Sequence, residues 1–283
     1  MPAAIELTVS CLQMPTATEQ TEIIDDQPIF WRSAPCEGTP PLYLHGVPSN
    51  SDDWTAFLEL TGGFAPDLPG FGRSSKRGGR DYTVEGYDRF IEWFCDFNEL
   101  DKVQLLVHDW GAVGLSWAQR FPEKVERLVI INAVPLLAGY RWHRLARAWR
   151  TRALGELIMG STNRYVSKQL SREANVTPGP LPDQFLESVD AHFDQGTQRA
   201  ILELYRTSPE AKLEALGANL GAITCPSLII WGDQDPYIGG RFADDYAAAL
   251  GGPSEVIHLP DAGHWPWFDR PDLIERVAGF FNG

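Results

Sequence analysis

Asp109 is the residue of this chain best placed to act as a carboxylate nucleophile. It follows the apolar run 103–107, which is typical of a buried strand, and Gly111 and Gly114 then open a helical pattern. A strand that turns sharply into a helix presents one side chain at the apex, where backbone N–H groups and the helix dipole favour negative charge. A carboxylate needs no deprotonating base at neutral pH, and it can attack a saturated carbon to give an ester on the enzyme. The alternative interpretation is an aspartate that only caps a helix.

The residues around Asp109 resemble the nucleophile elbow of the α/β-hydrolase superfamily. The elbow usually reads G-x-S-x-G, and here it reads Val107-His108-Asp109-Trp110-Gly111. The H-D-W-G sequence is similar to the branch with an aspartate nucleophile, which includes epoxide hydrolases and haloalkane dehalogenases. The resemblance implies an α/β fold: a mostly parallel eight-stranded sheet flanked by helices, with an inserted all-helical cap.

Two later motifs resemble the remaining members of the superfamily's catalytic triad. The sequence W-G-x-x-D-P ends an apolar run and supplies Asp235, and a G-H pair near the C-terminus supplies His264. The resemblance implies that Asp235 orients His264 and that His264 activates water to hydrolyse the ester on Asp109; Asp233 is the rival acid. Some haloalkane dehalogenases carry the acid after an earlier strand, but that place holds the amide Asn132. The chain order of nucleophile, acid and histidine is the superfamily's order.

The stretch His45-Gly46-Val47-Pro48 resembles the superfamily's oxyanion loop. The resemblance implies that the backbone N–H groups of Val47 and Trp110 form the oxyanion hole and that the Val47-Pro48 bond is cis. Hydrolysis of an ester passes through a tetrahedral oxyanion, and one such donor is worth about 2.7–4 kcal/mol. The alternative is an ordinary turn between a strand and a loop.

The leaving group separates the two substrate classes. An epoxide leaves as an alkoxide, which needs proton donors, and in similar epoxide hydrolases these are two cap tyrosines. Tyr205 heads a Tyr-Arg pair that resembles the second tyrosine, and Tyr165, with Tyr140 as the alternative, is the candidate for the first. A halide leaves as an anion and needs N–H donors. Trp110 offers one, but Val47 stands where many dehalogenases place a halide-binding Asn.

We therefore expect an epoxide hydrolase that forms a vicinal diol through an ester on Asp109. Trp110 and Trp265 are the expected substrate contacts. Haloalkane dehalogenation by the same Asp-His-Asp triad, with Trp110 as the halide donor, is the alternative. A non-catalytic binding protein on a hydrolase scaffold is a second alternative, because fold does not fix function. The expected substrate is a small hydrophobic molecule, and no metal or cofactor is expected.

The element pattern divides the chain into three segments. Residues 1–135 and 218–283 alternate strand and helix patterns and predict the two parts of a hydrolase core. Residues 136–217 lack strand patterns and predict a helical cap over the C-terminal edge of the sheet, with helical patterns over 140–159, 164–174 and 183–204. This segment holds 11 Lys and Arg against 9 Asp and Glu, whereas the whole chain has a net charge of −14.

Composition limits the possible partners. The chain has 283 residues and is 43% hydrophobic, enough for a sizeable core, and its charge of −14 argues against nucleic acid and anionic membranes as partners. The four cysteines are scattered without metal-ligand spacing, and neither a signal peptide nor a long apolar span is recognisable. We expect a cytoplasmic protein that is a monomer or a homodimer.

Overall fold

The computed structural model describes residues 16–24, 26–162 and 164–283, without the side chains of residues 164–166 and 170. Its strands form an eight-stranded sheet in the order β1-β2-β4-β3-β5-β6-β7-β8. β1 pairs with β2 and β2 with β4 in antiparallel fashion, and the other pairs are parallel, which confirms the predicted mostly parallel sheet. The strands are β1 (Thr18–Ile24), β2 (Gln27–Ala34), β3 (Pro41–Leu44), β4 (Gly63–Pro66), β5 (Val103–Asp109), β6 (Val125–Ala133), β7 (Ser227–Gly232) and β8 (Ser254–Leu259).

The central strands are buried on both faces, as the apolar run before Asp109 predicts. Every residue of β5 is buried, and its side chains alternate between two core clusters. Leu105 and Val107 pack into one cluster and Leu106 into the other. Helices from the two core segments flank the sheet: α1 (Thr55–Thr61), α2 (Val84–Phe97), α3 (Val113–Arg120), α10 (Arg241–Ala249), α11 (Pro266–Asp269) and α12 (Asp272–Asn282).

An all-helical cap is inserted between β6 and β7, as predicted. Its helices are α4 (Arg144–Arg150), α5 (Leu154–Ser161), α6 (Arg164–Ser171), α7 (Asp183–His192), α8 (Gln195–Thr207) and α9 (Glu210–Leu216). The boundaries at residues 136 and 217 remain a prediction. Within the described residues, no helix is long and apolar enough to cross a membrane.

Two of the predicted cap helices are each broken into two. The pattern over 140–159 becomes α4 and α5, because Ala153 adopts a φ of 65° and interrupts the helical backbone. The pattern over 183–204 becomes α7 and α8. There the Asp194 carboxylate accepts the N–H groups of Gly196 (2.8 Å) and Thr197 (3.0 Å), and this local N-cap starts a new helix.

The fold gathers the predicted site residues at one edge of the sheet. Asp109 ends β5, Asp235 follows β7, His264 follows β8, and His45 follows β3. Because these strands are parallel, their C-terminal ends lie at the same edge. The cap enters after the C-terminal end of β6, so it leaves the sheet at that edge too. Crevices at this edge are where open α/β sheets bind ligands.

Candidate active site

The elbow holds Asp109 in a strained backbone conformation. Its φ of 47° and ψ of −120° lie outside the regions that a β-carbon permits comfortably. Two glycines make room for this turn. A β-carbon on Gly111 would lie 2.1 Å from the Leu44 carbonyl oxygen, and one on Gly46 would lie 2.4 Å from the Asp109 β-carbon. The strain is therefore supported by close packing of β3 and β5 around the apex.

Backbone N–H groups stabilise the Asp109 carboxylate. The Val47 N–H donates to Oδ2 at 2.8 Å, and the Val47-Pro48 bond is cis, as expected. Burial raises the pKa of Asp109, and the positive charge of His264 and the N–H groups of Val47 and Trp110 act in the opposite direction. The net direction is upward. The N–H donors and the helix dipole can be predicted from the sequence pattern, whereas burial, which has the larger effect on the pKa of Asp109, cannot.

His264 lies between the two carboxylates. Its Nδ1 lies 2.7 Å from Asp235 Oδ2, and its Nε2 lies 3.7 Å from Asp109 Oδ1. A carboxylate can only accept, so Nδ1 carries the proton and Nε2 faces Asp109. Burial alone lowers the pKa of His264, but the charge and hydrogen bond of Asp235 and the charge of Asp109 more than offset it and leave the pKa raised. The arrangement is that of a general base held over a nucleophile.

Asn132 fixes Asp235 from the other side. Its Nδ2 donates to Asp235 Oδ2 at 2.8 Å, and its Oδ1 accepts the Gly232 N–H at 2.9 Å. In the sequence, Asn132 is an amide at a position where some haloalkane dehalogenases carry the triad acid. Its spacing from Asp235 along the chain does not predict their contact. The rival acid, Asp233, bonds instead to His258 at 2.8 Å.

His45 links the oxyanion loop to the glycine-rich loop that follows β4. Its Nδ1–H donates to the Gly46 carbonyl at 2.8 Å, and its Nε2 accepts the Leu68 N–H at 2.9 Å. Burial lowers the pKa of His45, which is consistent with this neutral tautomer. The imidazole therefore has a positioning role in the loop that carries Val47.

A cavity of about 300 Å³ lies over Asp109 and His264. Tyr140, His143 and Tyr205 contribute to its cap side, and most of its remaining wall is apolar. Among the described residues that line it there is no lysine or arginine. The cavity thus suits a small uncharged molecule.

Comparison with known proteins places the chain in a family. The family model of the α/β hydrolase fold matches residues 42–271. The chain belongs to this family. It is 33% identical to a haloalkane dehalogenase of Mycolicibacterium paratuberculosis, and the match covers 87% of this chain and 84% of that protein. It is 29% identical to a haloalkane dehalogenase of Mesorhizobium japonicum, and that match covers 93% of this chain and 90% of that protein. The crystal structure of a haloalkane dehalogenase from Bradyrhizobium elkani superposes with a TM-score of 0.80 at 25% identity, covering 94% of this chain and 98% of that one. The chain is therefore a hydrolase of the aspartate-nucleophile branch.

In this α/β-hydrolase the two expected substrate contacts lie in different places. Trp265 lines the cavity, and its ring packs edge-on against His264 with centroids 4.6 Å apart. Trp110 lies outside the wall and packs against Tyr205 and Trp142, whose ring centroids are 5.2 Å and 5.5 Å from its own. Its indole N–H is buried and has no hydrogen-bond partner among the described residues.

The tyrosine candidates also differ. Tyr205 is buried in the cavity wall, whereas the side chain of Tyr165 lies outside the described residues. Tyr140 is buried in the wall, and its hydroxyl has no partner within the described part of the chain. Burial, followed by the charge of Asp109, raises the pKa of Tyr140 and Tyr205 well above the ordinary value. Both hydroxyls therefore keep their protons and can donate. The Trp142 indole cannot join them, because it donates to the Ser208 carbonyl at 3.0 Å.

Proposed function

We propose that this protein is a haloalkane dehalogenase that converts an alkyl halide and water into an alcohol, a halide ion and a proton. The observation that carries the proposal is the position of the Asp109 carboxylate. It accepts the Val47 N–H, it lines a mostly apolar cavity, and His264 Nε2 lies 3.7 Å from its Oδ1. The similar proteins named haloalkane dehalogenase support the choice of a halide over the epoxide that the sequence first suggested.

The geometry assigns different roles to the two Asp109 oxygens. Oδ2 is held by the Val47 N–H, so Oδ1 is free to attack the substrate carbon. A carbon–oxygen bond forms as the carbon–halogen bond breaks, and the electron pair leaves with the halide. The ester carbonyl oxygen is then Oδ2, which already lies against the oxyanion donor. The hole therefore serves the second step, in which a tetrahedral carbon forms.

His264 carries out the second step. Neutral Nε2 takes a proton from water, and the water oxygen adds to the carboxyl carbon of Asp109. Collapse of the tetrahedral intermediate breaks the bond from that carbon to Oδ1, and the imidazolium returns its proton to the departing oxygen, so the alcohol leaves with the former Oδ1. The second water proton is released from the regenerated Asp109 carboxyl group. Asp235 stabilises the imidazolium through its 2.7 Å contact with Nδ1. In water labelled with heavy oxygen, the label must appear in the Asp109 side chain after one turnover.

The departing halide needs hydrogen-bond donors. Tyr205 lines the cavity, and its ring packs edge-on against the Trp110 ring, which lies outside the wall. We infer that the Tyr205 hydroxyl is the donor that stabilises the halide. Trp110, the halide donor expected from the sequence, does not line the cavity. Val47 offers no side-chain donor for this purpose.

An epoxide hydrolase is the second candidate, because Tyr140 and Tyr205 place two protonated hydroxyls in the wall above Asp109. An alkoxide leaving group would take a proton from one of them. A halide needs only to accept a hydrogen bond. The two functions thus share the triad and differ in whether a tyrosine must transfer its proton or only donate a hydrogen bond.

Parallel assays with 1-bromobutane and styrene oxide distinguish the candidates. Bromide release without diol formation supports the dehalogenase, and diol without bromide supports the epoxide hydrolase. The isosteric variants Tyr140→Phe and Tyr205→Phe give the matched comparison: diol formation requires a tyrosine proton, so it should fall far more steeply than bromide release. Neither product from wild-type protein, tested across a panel of chain lengths, would overturn both proposals.

A further inference from the structure

His143 lines the cavity, and the mechanism above does not use its side chain. Its side chain caps α4, where Nδ1 accepts the Ala146 N–H at 3.4 Å. Burial lowers the pKa of His143 to about 4, and the positive charge of His264 acts in the same direction. The ring is therefore neutral at the pH values at which an ordinary hydrolase is assayed.

The cap hydrogen bond fixes the position of the remaining proton. A neutral imidazole has one donor nitrogen and one acceptor nitrogen. Nδ1 acts as the acceptor for α4, so Nε2 carries the hydrogen and is a donor. No described residue accepts a hydrogen bond from Nε2. A donor without a partner beside an apolar cavity is a site for an acceptor on a bound molecule.

The position of His143 relates this donor to the reacting centre. Its ring centroid is 4.9 Å from that of Tyr237, and the Tyr237 ring is 5.1 Å from His264. One aromatic ring thus separates His143 from the catalytic histidine, and all three side chains line the same cavity. A substrate whose reacting carbon lies against Asp109 would extend through the same cavity toward the His143 ring.

We propose that His143 Nε2–H forms a recognition subsite for an uncharged oxygen acceptor on the substrate, a few bonds from the carbon that Asp109 attacks. An ether, a hydroxyl or an ester carbonyl suits a neutral donor. A carboxylate does not, because the described lining offers no cation to balance its charge. The proposal rests on the proposed function for the reacting group and predicts oxygenated alkyl halides as the preferred substrates.

An isosteric substrate series tests the subsite. 1-Bromohexane, 1-bromo-4-methoxybutane, 1-bromo-3-ethoxypropane and 1-bromo-2-propoxyethane have the same chain length and move one oxygen along it. The measured quantity is kcat/KM for bromide release, expressed for each ether relative to 1-bromohexane. Because His143 is fixed by the α4 cap, we expect one ether position to be preferred over the others.

Two variants separate the donor from the cap. His143→Ser keeps an N-cap oxygen but loses the imidazole Nε2–H, and its hydroxyl is held closer to the backbone, whereas His143→Phe keeps an aromatic ring but loses both the Nε2–H and the cap. The preference for the favoured ether should fall about three- to tenfold in both variants, the size of one neutral hydrogen bond. A preference that is unchanged in His143→Ser, or that falls only in His143→Phe, would overturn the subsite and leave a structural cap.

Binding of the product alcohols tests the subsite without turnover. Isothermal titration of hexan-1-ol and 4-methoxybutan-1-ol, with the other two ether alcohols, into wild-type and His143→Ser protein measures the same difference. If no bromide is released from any substrate, the proposed function fails and this titration alone decides the subsite. A favoured ether alcohol that loses its advantage in His143→Ser supports it, and equal binding of all four alcohols to wild-type protein contradicts it.

Discussion

Replacing His264 with glutamine should separate the two chemical steps of this hydrolase. Nε2 lies 3.7 Å from Asp109 Oδ1, too far for a direct hydrogen bond, so the imidazole acts through an intervening water. Glutamine cannot take up the proton of that water. Alkylation of Asp109 needs no base, and the Val47 N–H that holds Oδ2 at 2.8 Å is unaffected by the change. The ester should therefore form and persist.

The expected size of the effect follows from the role of a general base. Such a base contributes roughly 10²–10⁴-fold to the step it serves. Its loss therefore raises the barrier to ester hydrolysis by about 2.7–5.5 kcal/mol. Only the hydrolytic step carries this penalty. His264→Gln should release about one bromide per active site in a rapid phase and then turn over at least about 100-fold more slowly than wild-type protein.

Rapid-quench measurement of bromide, together with the mass of the intact protein, checks this result. The mass of His264→Gln should increase by one alkyl group, and peptide mapping should locate that group on Asp109. The matched control is the double variant Asp109→Asn, His264→Gln, which should show neither a burst nor a mass increase. A burst without alkylation, alkylation of another residue, or steady-state turnover close to the wild-type rate would refute the two-step reasoning.

Three further predictions concern His264, the Asn132 amide and the buried Asp53 carboxyl group. Because the neutral form of His264 is the base of ester hydrolysis alone, the acid limb that its pKa governs should appear in the rate of ester hydrolysis and not in the rate of the bromide burst. The charge of Asp109 helps to raise the pKa of His264, and alkylation removes that charge. The limb for ester hydrolysis in single-turnover measurements should therefore lie at lower pH than the titration of His264 in the free protein, followed by NMR; coincident pH values would contradict this. Asn132→Ala removes the 2.8 Å bond to Asp235 and should lower the free energy of unfolding by about 1–3 kcal/mol in urea denaturation, with kcat falling more than KM rises. Burial raises the pKa of Asp53 from 3.8 to about 8. Between about pH 4 and pH 8 the native carboxyl group therefore keeps a proton that the unfolded chain has released. The free energy of unfolding of the wild-type protein should fall by up to about 1.4 kcal/mol for each pH unit in this range. The Asp53→Asn variant should lack this slope. If the free energy of unfolding changed with pH equally in the variant and in the wild-type protein between pH 5 and pH 8, Asp53 would not be the cause.

The features predicted well from the sequence are those that depend on neighbouring residues. The turn at Asp109 needs an apolar strand before it and Gly111 after it, and both are adjacent in the chain. The cis bond at Val47-Pro48 is likewise a feature of one motif. The breaks within the cap were missed, although the Asp194 N-cap is also local, because apolar periodicity continues across them.

The substrate class was the weaker prediction because it depends on contacts between distant segments. The sequence pointed to Tyr205 and Tyr165 and hence to an epoxide, whereas the comparisons favour a halide. Tyr140, the alternative candidate, lines the cavity with Tyr205, and the side chain of Tyr165 lies outside the described residues. The spacing between two cap residues along the chain does not determine which side chains face the same cavity.

The sequence by itself determined the order of the chemistry: which residue types could attack, orient and activate, and at which strand ends they stand. Only the tertiary structure decided their surroundings. The burial that raises the pKa of Asp109, the Asn132 amide bonded to Asp235 and the place of His143 in the cavity wall all arise where segments remote in the chain meet. The physical reason is that desolvation and hydrogen-bond satisfaction depend on every neighbour in space, whereas a motif records only neighbours along the chain.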